Sequence, residues 1–287
     1  MQNQWYCKSK WYNCCWSWND GLSGWQEKLA ITHTISNAAI IDPSAKLGEN
    51  VYVGPFAIIE KNVTIGDNTW IDAHAHIKSY TTIGKDCKIF NGAVIGEIPQ
   101  DLKFGGEKSE FIIGDSTTIR EFCTLNRGTK DLGKSEVGNH CLLMAYVHIA
   151  HDCVIGDHSI LANGVQLGGH VEIGTHVTIG GMTPVHQFCK IGDYSFIGGG
   201  YRVVQDVPPF ILAMGEPLKF SGLNSIGLRR NNFLPDTRKQ IKKAYQFIYQ
   251  SDMNRSQAVS QLKNNFDKIP EVNQILNFIN NSDRGLV

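Results

Sequence analysis

Three residue pairs recur at intervals of eighteen in the middle of the chain: His151 with Asp152, Gly169 with His170, and Gln187 with Phe188, with His186 beside the last pair. Gathered on one surface, these groups suit acyl transfer. A histidine whose pKa lies near working pH takes the proton from an attacking hydroxyl. The backbone N–H of a glycine, with no side chain over it, holds the oxyanion that forms as a thioester carbonyl is attacked. Asp152 could orient or electrostatically support the imidazolium. No serine or cysteine nucleophile belongs to the set, so direct attack by the acceptor is favoured over a covalent acyl-enzyme. Zinc sites built from several histidines exist, but the alternation of His151 and His170 with Asp152 and Gly169 matches acyl transfer better. The reading calls for no metal and no cofactor.

The interval of eighteen follows from a period of six. Aliphatic residues stand at every sixth position from Ile35 to Ile95, resume in phase at Ile113, Ile119 and Leu125, and run again from Val137 to Ile197. A sustained hexapeptide period marks a parallel β-helix. Three hexads close one triangular coil, so residues eighteen apart stack in neighbouring coils about 4.8 Å apart. The fifth position of each hexad also points inward, because side chains alternate across a strand. It holds small residues, among them Cys87, Cys123, Cys141, Cys153 and Cys189, which reads these thiols as buried hydrophobes. Cys7, Cys14 and Cys15 lie near the N-terminus without zinc-ligand spacing. His74, His140, His158 and His176 fall at the fourth position and are expected as surface turn residues.

Three segments are expected. Residues 1–34 hold five of the six tryptophans in no period and read as a disordered extension. Residues 35–205 form the β-helix. From 206, at the prolines of VPPF, the pattern turns helical and continues to 287, with Ile241, Ala244, Tyr245, Ile248 and Tyr249 at helical spacing after Pro235. The 27 basic and 27 acidic side chains leave no net charge, which argues against a nucleic-acid binder. No secretory signal and no apolar run long enough for a bilayer is visible, so a cytoplasmic protein without a membrane span is expected. Between Arg229 and Lys268, nine basic residues face three acidic ones, an excess that fits an acidic partner.

The stretches GEIPQDLKF, NRGT, HIAHDC, LGGHV, IGGMTPVHQF and QDVPPF, in that order and before a helical region, resemble the UDP-N-acetylglucosamine acyltransferases that begin lipid A synthesis. The resemblance covers residues 35–287. It implies a left-handed parallel β-helix, a homotrimer with sites between subunits, and transfer of a 3-hydroxyacyl group from acyl carrier protein to the 3-hydroxyl of UDP-N-acetylglucosamine. It makes His151 the general base, Asp152 part of the same motif and Gly169 the oxyanion donor. Lys103, His148, His170 and Gln187 match contacts to the nucleotide sugar or its product, with Gln100 and Asp101 shaping the same loop. Asn224 and Arg230 match the uridine and phosphate end, although Ile226 and Asn231 stand where some members carry an acidic residue and a further arginine. Gly199 matches the ruler of acyl-chain length. Arg229, Lys239, Lys242 and Lys243 are expected to receive acyl carrier protein. Related N-acyltransferases share the β-helix but carry a uridine-binding domain in front of it, for which 34 residues are too few.

Overall fold

The hexads close into a triangular prism whose three faces are parallel sheets. The computed structural model describes residues 34–249, 255–266 and 269–287. The expected disordered extension lies outside these residues except for Thr34, as do Cys7, Cys14 and Cys15. Strands of mostly two residues stack into sheets of eight, eight and ten, each strand pairing with the one a full coil away. The first sheet runs from Ile40–Ile41 to Pro184–Val185, and the second from Lys46–Leu47 to Lys190–Ile191. Pairings such as Ile41 with Ile59 and Leu167 with Val185 keep the interval of eighteen.

Two excursions interrupt the coils without losing phase. Across the first, the partner of Ile83 becomes Ile113, thirty residues on; across the second, the partner of Leu125 becomes Ile149, twenty-four on. The surpluses of twelve and six residues emerge as loops, one between Val94–Glu97 and Glu110–Ile113, the other between Thr124–Asn126 and Lys134–Val137.

Inside the prism, first and fifth positions are buried as the period requires. Ile149, Leu161, Val165 and Val171 are all fully enclosed. The five hexad cysteines are free and buried, and burial pushes the thiols of Cys123 and Cys153 up to about 12, beyond nucleophilic use at neutral pH. At the corners, the fourth residue takes the left-handed conformation, with φ of 58° at Asp152, 59° at His170 and 63° at Phe188. That conformation turns the chain sharply between sheets. It favours Asn, Asp and His among non-glycine residues. It also stacks side chains of successive coils: the rings of His140, His158 and His176 lie nearly parallel at 4.8 and 4.5 Å. Three of the four histidines expected as surface turn residues thus form a column, continued by Tyr194 and Phe210, while His74 stacks on Phe56.

The helical pattern expected from 206 begins later. Ile211–Met214 pairs in parallel with Phe196–Ile197, and Lys219–Leu223 pairs antiparallel beyond it. The last coil has an unpaired edge that needs backbone partners, and this segment supplies them although its pairing interval drops from eighteen at Val203 to sixteen at Val207 and Ala213. Helices follow: α1 at Ser225–Arg230, α2 at Pro235–Tyr249, α3 at Arg255–Phe266 and α4 at Pro270–Asn280. Helix α2 buries Ile241, Ala244 and Tyr245, whose hydroxyl donates to the Pro209 carbonyl at 2.6 Å. Ile248 and Tyr249 are half-buried. Buried Asp206 ties down the end of the chain: its carboxylate accepts from the Lys190 N–H at 2.8 Å, the Ser282 hydroxyl at 2.7 Å and the Arg284 N–H at 3.3 Å. Among the described residues, no helix is long and apolar enough to cross a membrane.

Candidate active site

The corner that follows the first sheet gathers the candidate residues. His148 and Ile149 form a strand there, and the turn after it presents His151 and Asp152. One coil on, Gln166–Leu167 leads into Gly169 and His170; the next leads into Gln187 and Phe188. The corners are locked together by backbone hydrogen bonds, from His170 N–H to the His151 carbonyl and from Phe188 N–H to the Gly169 carbonyl, both 3.0 Å. Coil stacking therefore brings the three pairs into one column, as their spacing requires.

Within the column, His151 Nδ1 lies 2.8 Å from Asp152 Oδ2. Asp152 is fully enclosed, whereas the His151 side chain retains 16% of its exposure. The carboxylate is thus withdrawn and the far edge of the imidazole is not. Burial by itself would raise the Asp152 pKa; hydrogen bonds from Thr129 and His151, and the nearby His170, outweigh it and hold the carboxyl below its ordinary range. His170 stands edge-on to His151, with ring centroids 5.1 Å apart, and stacks on Phe188 at 4.6 Å. Its Nε2 is 3.7 Å from Asp152 Oδ2 and 3.9 Å from Asp131 Oδ2.

Gly169 is set directly against the His151 ring. A Cβ there would lie 2.7 Å from both Cε1 and Nε2 of His151, so no larger residue fits beside the ring as it stands. Among the described residues, the Gly169 N–H donates to no group of the chain. A donor left open next to a histidine is the arrangement that stabilises a developing oxyanion.

His151, Asp152 and His170 each offer a ligand atom within 4.8 Å of the others, a spacing that a cation could use. Hydrogen-bond donors already occupy the carboxylate among them. Both oxygens of Asp152 already accept from N–H or O–H groups, and the His151 nitrogen nearest it is one partner. The cluster is accounted for as a hydrogen-bonded dyad.

Comparison with known proteins decides the family. The model of bacterial transferase hexapeptide repeats matches residues 44–69, 62–97 and 134–169, and that of UDP-N-acetylglucosamine O-acyltransferase domain 2 matches 206–287. A Chlorobaculum tepidum protein named as an acyl-carrier-protein-dependent UDP-N-acetylglucosamine O-acyltransferase is 56% identical over 245 residues, 85% of this chain and 93% of its own. The chain belongs to the UDP-N-acetylglucosamine O-acyltransferase family. A Thiobacillus denitrificans relative of the same name is 43% identical over 88% of this chain and 99% of its own. Among solved structures, the family member from Bacteroides fragilis superposes with a TM-score of 0.87 at 46% identity over 88% of this chain and all of its own. The Arabidopsis enzyme does so at 0.79 and 33%, over 88% of this chain and 99% of its own. The fold is accordingly the left-handed parallel β-helix of this family.

Other residues singled out by sequence lie farther from the dyad along the fold. His148 precedes it on the first sheet, its Nδ1 2.8 Å from the Thr124 hydroxyl; burial lowers its pKa against a smaller opposing influence from Thr124. Gln187 is exposed. Gln100, Asp101 and Lys103 occupy the first loop, where Asp101 accepts the Lys103 N–H at 3.0 Å. No hydrogen bond or ion pair joins them to His151 among the described residues. Gly199 lies at a different corner, where a Cβ would meet the Gly181 carbonyl oxygen at 3.1 Å. Asn224 caps α1, accepting the Gly227 N–H at 3.0 Å and donating to the Tyr194 carbonyl at 2.9 Å. That local duty occupies much of a side chain expected to meet nucleotide. Arg229, Arg230, Lys239, Lys242 and Lys243 are exposed.

Sequence reasoning assigned no role to the residues of the second loop that hold Asp152. Thr129 donates to it through both N–H, at 2.9 Å to Oδ1, and hydroxyl, at 2.7 Å to Oδ2; the Leu132 N–H reaches Oδ1 at 3.3 Å. Thr129 stood within NRGT, but an aperiodic loop carries no spacing from which its target is readable.

Proposed function

We propose that this chain transfers a 3-hydroxyacyl group from acyl carrier protein to the 3-hydroxyl of UDP-N-acetylglucosamine, the first step of lipid A synthesis, as a cytoplasmic homotrimer. The observation that carries the reading is the His151–Asp152 dyad, with the open Gly169 N–H one coil away. In this mechanism His151 takes the proton of the sugar hydroxyl through Nε2 as the oxygen attacks the thioester carbonyl. Asp152 supports the imidazolium through Nδ1, the Gly169 N–H receives the carbonyl oxygen as it becomes negative, and His151 returns the proton to the departing thiolate. The products are the ester and the free thiol of the carrier.

Substrate contacts follow the family pattern. Lys103, His148, His170 and Gln187 bind the nucleotide sugar or its product, Gln100 and Asp101 shape their loop, Asn224 and Arg230 serve the uridine and phosphate end, and Gly199 leaves room for the acyl tail. The names of the relatives support the carrier and the acceptor. The exposed cations Arg229, Lys239, Lys242 and Lys243 favour encounter with an acidic carrier. Trimerisation finds support in an apolar corner: Phe56, Phe122, Tyr146 and Met182 expose 58%, 48%, 62% and 73% of their surface in one chain, more than a lone protein usually leaves together.

The test is product formation from UDP-N-acetylglucosamine with a series of 3-hydroxyacyl carrier proteins, native chain against His151→Ala. Acylated nucleotide from the native chain alone is the expected result. Turnover undiminished in the variant would remove His151 as the base.

A further inference from the structure

Asp152 is held from above by a strap that the hexad repeat does not contain. The second loop lays Thr129 against the carboxylate, and the loop is itself closed by the Gly133 N–H on the Thr129 carbonyl at 2.7 Å. It is moored to the first loop by the Lys130 N–H on Glu107 Oε1 at 3.1 Å. Thr129 is 5% exposed and Asp152 not at all, so water does not take part in their bond.

The direction of each hydrogen bond around Thr129 can be assigned. Its hydroxyl oxygen faces the Asp131 N–H at 3.2 Å, a group that can only donate, so the single hydroxyl proton is free to point the other way, at Asp152 Oδ2 2.7 Å away. Oδ1 faces two further donors, the N–H groups of Thr129 and Leu132. Three donors aimed at one carboxyl favour its ionised form, which accepts and cannot donate. His151 Nδ1, 2.8 Å from the same Oδ2, must then carry the proton of that bond. Nε2 is left with its lone pair, on the edge of the ring that Gly169 borders.

We propose that Thr129 is a positioning residue that acts through Asp152 to set the tautomer and orientation of His151. The inference rests on His151 being the base, as proposed above, and adds the group that decides which of its nitrogens is basic. The coil itself lacks this device. The column of histidines at 140, 158 and 176 shares the corner geometry, but the threonine beside it, Thr175, reaches the Asp193 carboxylate through its backbone N–H at 2.6 Å.

Thr129→Val removes the hydroxyl and keeps the N–H and the volume. It should lower kcat by about tenfold to a hundredfold, part of the ~10²–10⁴ that a positioned base supplies, with the KM for UDP-N-acetylglucosamine unchanged. With one donor gone, the carboxylate binds the His151 proton more tightly. The acid limb of the kcat/KM profile should therefore move to higher pH. Thr129→Ser should restore both rate and limb, which a merely structural role would not require of the pH profile. Thr129→Ala, which places no methyl against the charge, carries the same expectation if the valine variant does not fold. In the native protein at pH 8, nitrogen NMR of the His151 ring should find the proton on Nδ1. Native kcat and limb in folded Thr129→Val, or a proton on Nε2 in the native ring, would overturn the inference while an inactive His151→Ala leaves the reading of the base intact. An active His151→Ala would instead remove that reading.

Discussion

Gly169→Ala adds one methyl at the most crowded point of the site, and its effect can be worked from distances. The new Cβ would lie 2.7 Å from Cε1 and Nε2 of His151 and 3.2 Å from Nδ1. Carbon and nitrogen atoms in contact settle about 3.5–4.0 Å apart, so the ring must withdraw by roughly 1 Å. Its bond to Asp152 is 2.8 Å long, and a ring displaced by that much no longer holds both this bond and the position of Nε2 in their native geometry. Misplacing a catalytic group by about 1 Å costs on the order of 100-fold, equivalent to about 2.7 kcal/mol of transition-state stabilisation. Gly169 does not need the left-handed backbone conformation, and alanine keeps the N–H. The melting temperature should therefore hold while kcat falls about 100-fold. Steady-state kinetics beside thermal unfolding makes the comparison. A folded Gly169→Ala enzyme with native kcat would refute the claim that contact with the glycine fixes the His151 ring for the proposed proton transfer.

Three further outcomes follow from features away from the dyad. Asp206→Ala leaves the Lys190 and Arg284 N–H groups and the Ser282 hydroxyl without their acceptor and should cost about 2–4 kcal/mol; a thermal melt should drop by several degrees, and an unchanged melt would show that the tail is not held there. Glu60 is opposed by burial, but Lys78 and the hydroxyl and N–H of Ser79 outweigh it and bring its pKa to about 2. Because its folded pKa is depressed, its contribution is present above the ordinary value of 4.5 and is lost as pH falls towards about 2; urea unfolding should find Glu60→Gln weaker than native at pH 7, with the gap closing in acid. Lys239→Glu with Lys242→Glu should raise the KM for acyl carrier protein and flatten its salt dependence, and an unmoved KM would sink the docking assignment.

Much of this molecule is legible in sequence because a solenoid converts interval into position. Once the period of six is recognised, His151, Gly169 and Gln187 must share a column, and Cys153 must face inward, where it is found. Legibility fails where the interval is lost. The pairing of Ile211–Met214 with the last coil follows from an unsatisfied strand edge, a demand of the fold that the residues 206–214 do not announce. The role of Thr129 depends on the path of a loop with no repeat. Asn224 shows a different limit: its residue type suits both a nucleotide contact and a helix cap, and only the coordinates reveal the cap.

The two loops leave and rejoin the prism after surpluses of twelve and six residues, whole numbers of hexads. The core on either side therefore never has to be re-indexed, and each loop is an exchangeable part seated in a fixed socket. A lineage, or a designer, can rewrite what hangs over the corner of His151 and Asp152 by editing one hexad's worth of chain. The aliphatic ladder beneath would keep every partner it had. Chemistry and scaffold are thereby separated in the linear text of the gene, and the reactive corner is free to change at a pace the interior does not share.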